Sequence, residues 1–84
     1  MSKELWYFYA DWCPYCQKQK PIMEEYTKSN PDVEVIWLNE ASEKDAVELN
    51  GISGYPTFIP FKNGVPLERV NGVQEKVKLE AIFA

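Results

Sequence analysis

The chain has 84 residues, 45% of them hydrophobic and 14% aromatic, which suits a single small domain spanning 1–84. Nine basic residues stand against thirteen acidic ones, for a net charge of −4 with no basic run. The positive face that sequence-blind nucleic-acid binding requires is therefore not expected. The first apolar stretch, LWYFYA, ends at Asp11 and is too short for a signal-peptide core or a membrane span. A cytoplasmic, monomeric protein with no membrane role is the expectation.

In chain order, ELWYFYA (4–10) reads as a strand buried on both faces, because such strands are continuous apolar runs. From Pro14 to about Ser29 the pattern is helical, with Cys16, Met23 and Tyr26 along one face. Pro21 falls inside that helix and predicts a kink. SNPD (29–32) breaks the chain, and VEVIWL (33–38) is a second strand, rich in β-branched and aromatic residues. Ser42 followed by Asp45 is a helix-start signal, and EKDAVELN (43–50) continues as a short helix that Gly51 ends.

TFIPFK (57–62) and VPLERV (65–70) flank Asn63-Gly64, the strongest hairpin signal in the sequence. Pro60 cannot donate to a ladder, so a bulge or an unpaired edge is expected there. QEKVKLEAIFA (74–84) closes as an amphipathic helix carrying Val77, Ala81 and Ile82. The order β-α-β-α-β-β-α predicts an α/β fold, a four-stranded mixed sheet with helices on both faces.

Cys13 and Cys16, with two residues between them, are the only cysteines, and histidine is absent. A structural zinc site takes four such ligands, so one chain cannot build it, and no metal is expected. Two chains could share four thiolates, but Pro14 and Tyr15 make a stiff, bulky loop for that. As a staple the pair is poorly placed, since it closes a very small loop. As a redox centre it is well placed, where a strand ends and a helix begins. The unpaired N–H groups and dipole of a helix N-terminus favour a thiolate. Pro14 suits the first helical turn, and the spacing puts Cys16 one turn along on the same face. Cys13, expected to be exposed, then attacks, and Cys16, shielded by the helix, resolves the mixed disulfide.

FYADWCPYC (8–16), GYPTFIPFKNG (54–64) and Gly72 before the last helix together resemble the thioredoxin superfamily over nearly the whole chain. YADWC, Pro21 and PTFIPFKNG are similar to thioredoxin itself, whereas Pro14-Tyr15 and the short length resemble glutaredoxin. The resemblance implies a minimal thioredoxin fold in which Tyr55-Pro56 is a cis bond packed against the cysteines. General frequencies of ~5–6% for cis X–Pro bonds would not suggest it. It also implies that the Tyr55 backbone pairs with an extended substrate segment. Trp12 would shield the sulfurs, core packing being its plainer role, and Gly72 would keep the neighbouring surface open.

Two positions depart from the pattern. Thioredoxins usually carry a buried acid where this chain has Tyr7, and a lysine that pairs with it where this chain has Trp37. Lys20, on the same helical face as Cys16, offers compensating charge, although a solvated lysine is the plainer reading. Asp11 is read as a solvated neighbour rather than a base. The function implied is reduction of protein disulfides through a redox-active Cys13–Cys16 disulfide, with no bound cofactor. Trp12, Pro14, Tyr15, Tyr55, Pro56 and Gly72 form the candidate substrate surface.

A thioredoxin-reductase-like donor is expected rather than glutathione. Glutaredoxins usually place a lysine shortly before the first cysteine, where this chain has Ala10, Asp11 and Trp12. Their double glycine and acid are reduced here to NGVQ (71–74). The alternatives are a glutathione-dependent glutaredoxin and a non-catalytic binding subunit of the same fold.

Overall fold

The computed structural model describes residues 2–84. The central strand β1 (Lys3–Tyr9) is followed by helix α1 (Pro14–Ser29), strand β2 (Val33–Asn39) and helix α2 (Lys44–Leu49). Strands β3 (Thr57–Lys62), β4 (Val65–Pro66) and β5 (Val70–Asn71) precede the closing helix α3 (Lys76–Ile82). β2 runs parallel to β1, in register from Lys3 opposite Val33 to Tyr9 opposite Asn39. β3 runs antiparallel on the other side of β1, and β4 and β5 both pair with β3. The mixed α/β fold is the one expected, except that the fourth strand is divided in two.

The division follows from Pro60. β3 passes through it without a bulge, with Leu5 of β1 opposite. Its carbonyl accepts from the Leu67 N–H at 2.8 Å, so its nitrogen faces the β4–β5 side, where it has no hydrogen to give. Residues 67–69 leave the ladder at that point. The irregularity expected in β3 has been passed to its neighbour, and VPLERV is paired only at its ends.

β1 alternates as a strand must. Leu5 and Tyr7 join Phe58, Met23, Tyr26, Val33, Leu79 and Phe83 in one core between the sheet and the pair α1 and α3. Tyr7 stacks on Phe58 with ring centroids 5.2 Å apart. Phe8 and Ile59 are buried on the opposite face, over which the 40–56 connection has to cross β1 to reach β3. That connection contains α2, which has no fully buried residue.

Two local expectations change, and a third element keeps its expected bounds. α2 begins at Lys44 rather than beside Ser42, because Asn39 organises the preceding turn: its Oδ1 accepts from the Ala41 N–H, and its carbonyl from Glu43. α3 turns Leu79 and Phe83 inward with Ile82 partly covered, leaving Val77 69% exposed and Ala81 outside. The bulkier pair has more apolar area to remove from water and sets the helix rotation. α1 runs unbroken across Pro21, whose missing N–H deprives only the Gln17 carbonyl, on a face already in water. The Asn63-Gly64 hairpin is as expected, with φ of 53° and 79°. Both values are positive, as a two-residue primed turn requires.

Candidate active site

β1 delivers the chain to Ala10 and a short turn carries it into α1. Cys13 is the N-cap, Pro14 opens the helix, and the Cys13 carbonyl accepts from the N–H groups of Cys16 and Gln17 at 3.1 and 3.2 Å. Both thiols are free, and each is only 4% exposed. The expected contrast between an open Cys13 and a shielded Cys16 is therefore absent in accessible area. It lies instead in what each sulfur faces.

The Cys13 thiol donates to the Tyr55 carbonyl at 3.5 Å, across from the Tyr55–Pro56 peptide bond, which is cis as the resemblance implies. Pro56 is buried, and its carbonyl accepts from the Gly72 N–H at 2.9 Å. Gly72 has φ +84°, with open space where a side chain would stand. Beside Tyr55 runs an apolar groove of about 480 Å³, lined by Tyr15, Lys18, Tyr55, Gly72 and Val73. Trp12 and Tyr15 stand out from the rim, 67% and 59% exposed. Core packing is thus not the role of Trp12. Its indole N–H donates to Glu40 at 3.1 Å, and its ring meets Tyr55 edge-on at 6.0 Å.

Cys16 faces the other way, into a cavity of about 290 Å³ lined by Tyr7, Tyr9, Trp37 and Ala10, with Asp11, Gln17 and Lys20 exposed on its walls. Burial raises the Cys16 thiol from its ordinary 9.0 to about 11; a hydrogen bond to the Ala10 backbone opposes it, and Cys13 adds smaller pushes through a hydrogen bond and through negative charge. Those pushes disappear once Cys13 is tied up in a mixed disulfide. Burial also raises the Tyr7 phenol well above its usual range, so it stays protonated and is no substitute for a carboxylate base. Trp37 lies opposite Tyr7 in the ladder and meets it edge-on at 5.0 Å. The two aromatic replacements therefore compensate each other by packing.

The sequence-expected residues Trp12, Cys13, Pro14, Tyr15, Tyr55, Pro56 and Gly72 gather at one end of the sheet, with Cys16 directly behind. Glu40, Lys18, Val73 and Gln19 were not anticipated. Glu40 is distant in sequence and gave no signal. Gln19 did give one, as a polar residue on the helical face shared by Cys16, Met23 and Tyr26. Among the described residues no group of three or more acidic, cysteine or histidine side chains is gathered as a metal site requires.

The chain is a mixed α/β protein with a cysteine pair opening a helix at the end of its central strand, an arrangement suited to thiol–disulfide exchange. The family model described as Thioredoxin matches residues 2–84. A thioredoxin of Alicyclobacillus acidocaldarius is 37% identical over 92% of this chain and 74% of its own length. The mitochondrial thioredoxin-2 of Schizosaccharomyces pombe is 35% identical over 82% of this chain, which spans about half of that protein, 52%. The X-ray structure of Fasciola hepatica thioredoxin superposes with a TM-score of 0.89 at 27% identity, over 98% of this chain and 79% of that one. The chain belongs to the thioredoxin family, whose members exchange disulfides through a redox-active cysteine pair without a bound cofactor. No helix among the described residues is long and apolar enough to cross a membrane.

Proposed function

We propose that this protein reduces disulfides in protein substrates. The observation that carries the reading is Cys13 at the N-cap of α1, its sulfur against the Tyr55 carbonyl and beside an open apolar groove. An extended substrate segment pairs with the Tyr55 backbone, and Trp12, Pro14, Tyr15, Pro56 and Gly72 bound its path. The Cys13 thiolate attacks one sulfur of the substrate disulfide. That S–S bond breaks, the distal sulfur leaves as a thiolate and takes a proton, and a mixed disulfide forms. Cys16 then gives up its proton and attacks Cys13 sulfur, releasing the second substrate thiol. Two electrons have passed to the substrate, and Cys13–Cys16 is left as a disulfide.

A thioredoxin-reductase-type donor restores the dithiol. Asp11 before the cysteines and Glu40 at Trp12 set negative charge beside the site, which disfavours the carboxylates of glutathione. One observation favours the glutathione-dependent reading instead: Lys18, the sole cation among the described residues lining the groove, stands beside Tyr15. Insulin reduction driven by dithiothreitol separates an enzyme from a binding subunit. Turnover with thioredoxin reductase and NADPH, compared with glutathione, glutathione reductase and NADPH, separates the donors. Insulin reduction abolished by Cys13→Ser, with saturable turnover by the first system, is expected. No reduction by the unaltered protein rejects the proposal, and turnover by glutathione alone replaces the donor.

A further inference from the structure

Gln19 is fully buried in α1, between Cys16 and Met23 on the core-facing side. A buried amide is unfavourable unless both of its ends are paired, and an apolar residue would fill the position more cheaply. Here both ends are paired to the backbone of one distant residue. The Gln19 Nε2 donates to the Gln74 carbonyl at 2.9 Å, and the Gln74 N–H donates to Gln19 Oε1 at 2.8 Å. The side chain thus acts as a short length of strand, joining α1 to the segment before α3. Its further contact, Nε2 to the Met23 sulfur at 3.5 Å, is weak.

The segment so held is the wall of the groove. Gly72 and Val73 line it, and Gly72 is tied to the Pro56 carbonyl at 2.9 Å. The Gln74 side chain folds back on the carbonyls of Asn71 and Gly72 at 3.0 and 3.3 Å, stiffening the same turn. Gly72 and Val73 are therefore anchored on both sides, to Pro56 before and to Gln19 after. Gln19 lines neither the groove nor the cavity behind Cys16.

The geometry points to Gln19 as a positioning residue for substrate specificity. Its two hydrogen bonds to Gln74 hold the Gly72–Val73 wall at the height at which an extended disulfide-bearing segment is gripped beside Cys13. This rests on the proposal that protein disulfides are the substrates. The clamp touches only the wall, so small disulfides that need no groove react independently of it. Substrates that lie along the groove depend on it.

The test is Gln19→Met, which keeps volume and helix propensity but leaves the Gln74 N–H and carbonyl without partners. Reaction of Cys13 with a small aromatic disulfide reports the thiol alone, and steady-state reduction of insulin reports the groove. The expected result is an unchanged small-disulfide rate and an insulin KM raised at least about fivefold, the lower end for two lost hydrogen bonds, with kcat within about twofold. Unchanged KM for insulin, or equal losses toward both substrates, overturns the inference. If the unaltered protein reduces the small disulfide but not insulin, the substrate proposal fails rather than the clamp.

Hydrogen exchange on the unaltered protein tests the clamp even if the variant does not fold. The Gln74 amide is expected to exchange as slowly as those of β1, and exchange as fast as at Gly64 overturns it.

Discussion

Cys16 keeps its proton because the fold has taken it out of water. Its thiol rises from 9.0 to about 11, so between these values the unfolded chain has released a proton that the folded chain still holds. Stability then falls as pH rises. The contribution is complete below about pH 9 and is lost by about pH 11. Tyr26, raised to about 12, and Tyr7 extend the loss at still higher pH. Urea unfolding of the reduced protein at about pH 8 and about pH 10 is expected to show a falling midpoint, with a smaller fall in Cys16→Ala. An equal fall in the variant would show that Cys16 is not its source. At this scale the sequence was legible where chemistry is local: the two cysteines and Pro14 at the helix start. It was silent on Glu40 and Lys18, whose positions depend on distant segments meeting. It also suggested an exposed Cys13, because the Tyr55 loop that covers the sulfur arrives forty-two positions later.

Among the elements, α2 is the one least attached. No residue in it is fully buried, Leu49 is 86% exposed, and neither Glu43 nor Ser42 caps it with a side chain. Local opening is governed by such missing contacts, so its amides are expected to exchange at least about a hundredfold faster than those of β1. Leu49→Lys is expected to change stability by less than about 0.5 kcal/mol. Protection of α2 equal to that of β1, or a large loss in the variant, would show that it is anchored more firmly than its contacts indicate. The types and order of the elements were readable because each carries its own periodicity and turn signals. The rotation of α3 and the division of VPLERV were not, since one depends on the face of α1 it meets and the other on a proline in the neighbouring strand.

Over the whole molecule, the pairing of strands orders the chemistry. β1 ends at the dithiol, β3 begins at the cis-proline, and β5 ends at Gly72, so three strands bring separate sequence segments to one end of the sheet. That convergence was legible only through family resemblance, because no periodicity in the chain states which strands are neighbours. Charge contributes little to it. Among the described residues the one ion pair is Lys3 with Asp32 at 3.1 Å, on the surface at the opposite end of β1. The fold instead rests on aromatic and aliphatic packing around β1, the strand paired with β2 on one side from Lys3 to Tyr9 and with β3 on the other from Lys3 to Phe8.

The gap left by Pro60 makes this protein a natural host for grafted sequence. Among the described residues, Leu67, Glu68 and Arg69 owe the sheet only the Leu67 N–H bond to Pro60, and all three side chains are exposed. A flexible Gly/Ser segment spliced between Glu68 and Arg69 would lengthen a loop that already exists, and each doubling of such a loop costs only about 0.6 kcal/mol. The grafted protein is expected to melt within a few degrees of the parent and to keep its disulfide exchange rate. The same segment placed between Asn63 and Gly64 would destroy the tight turn and lower the melting temperature markedly. Equal damage at both places would mean that residues 67–69 are held by more than their single bond.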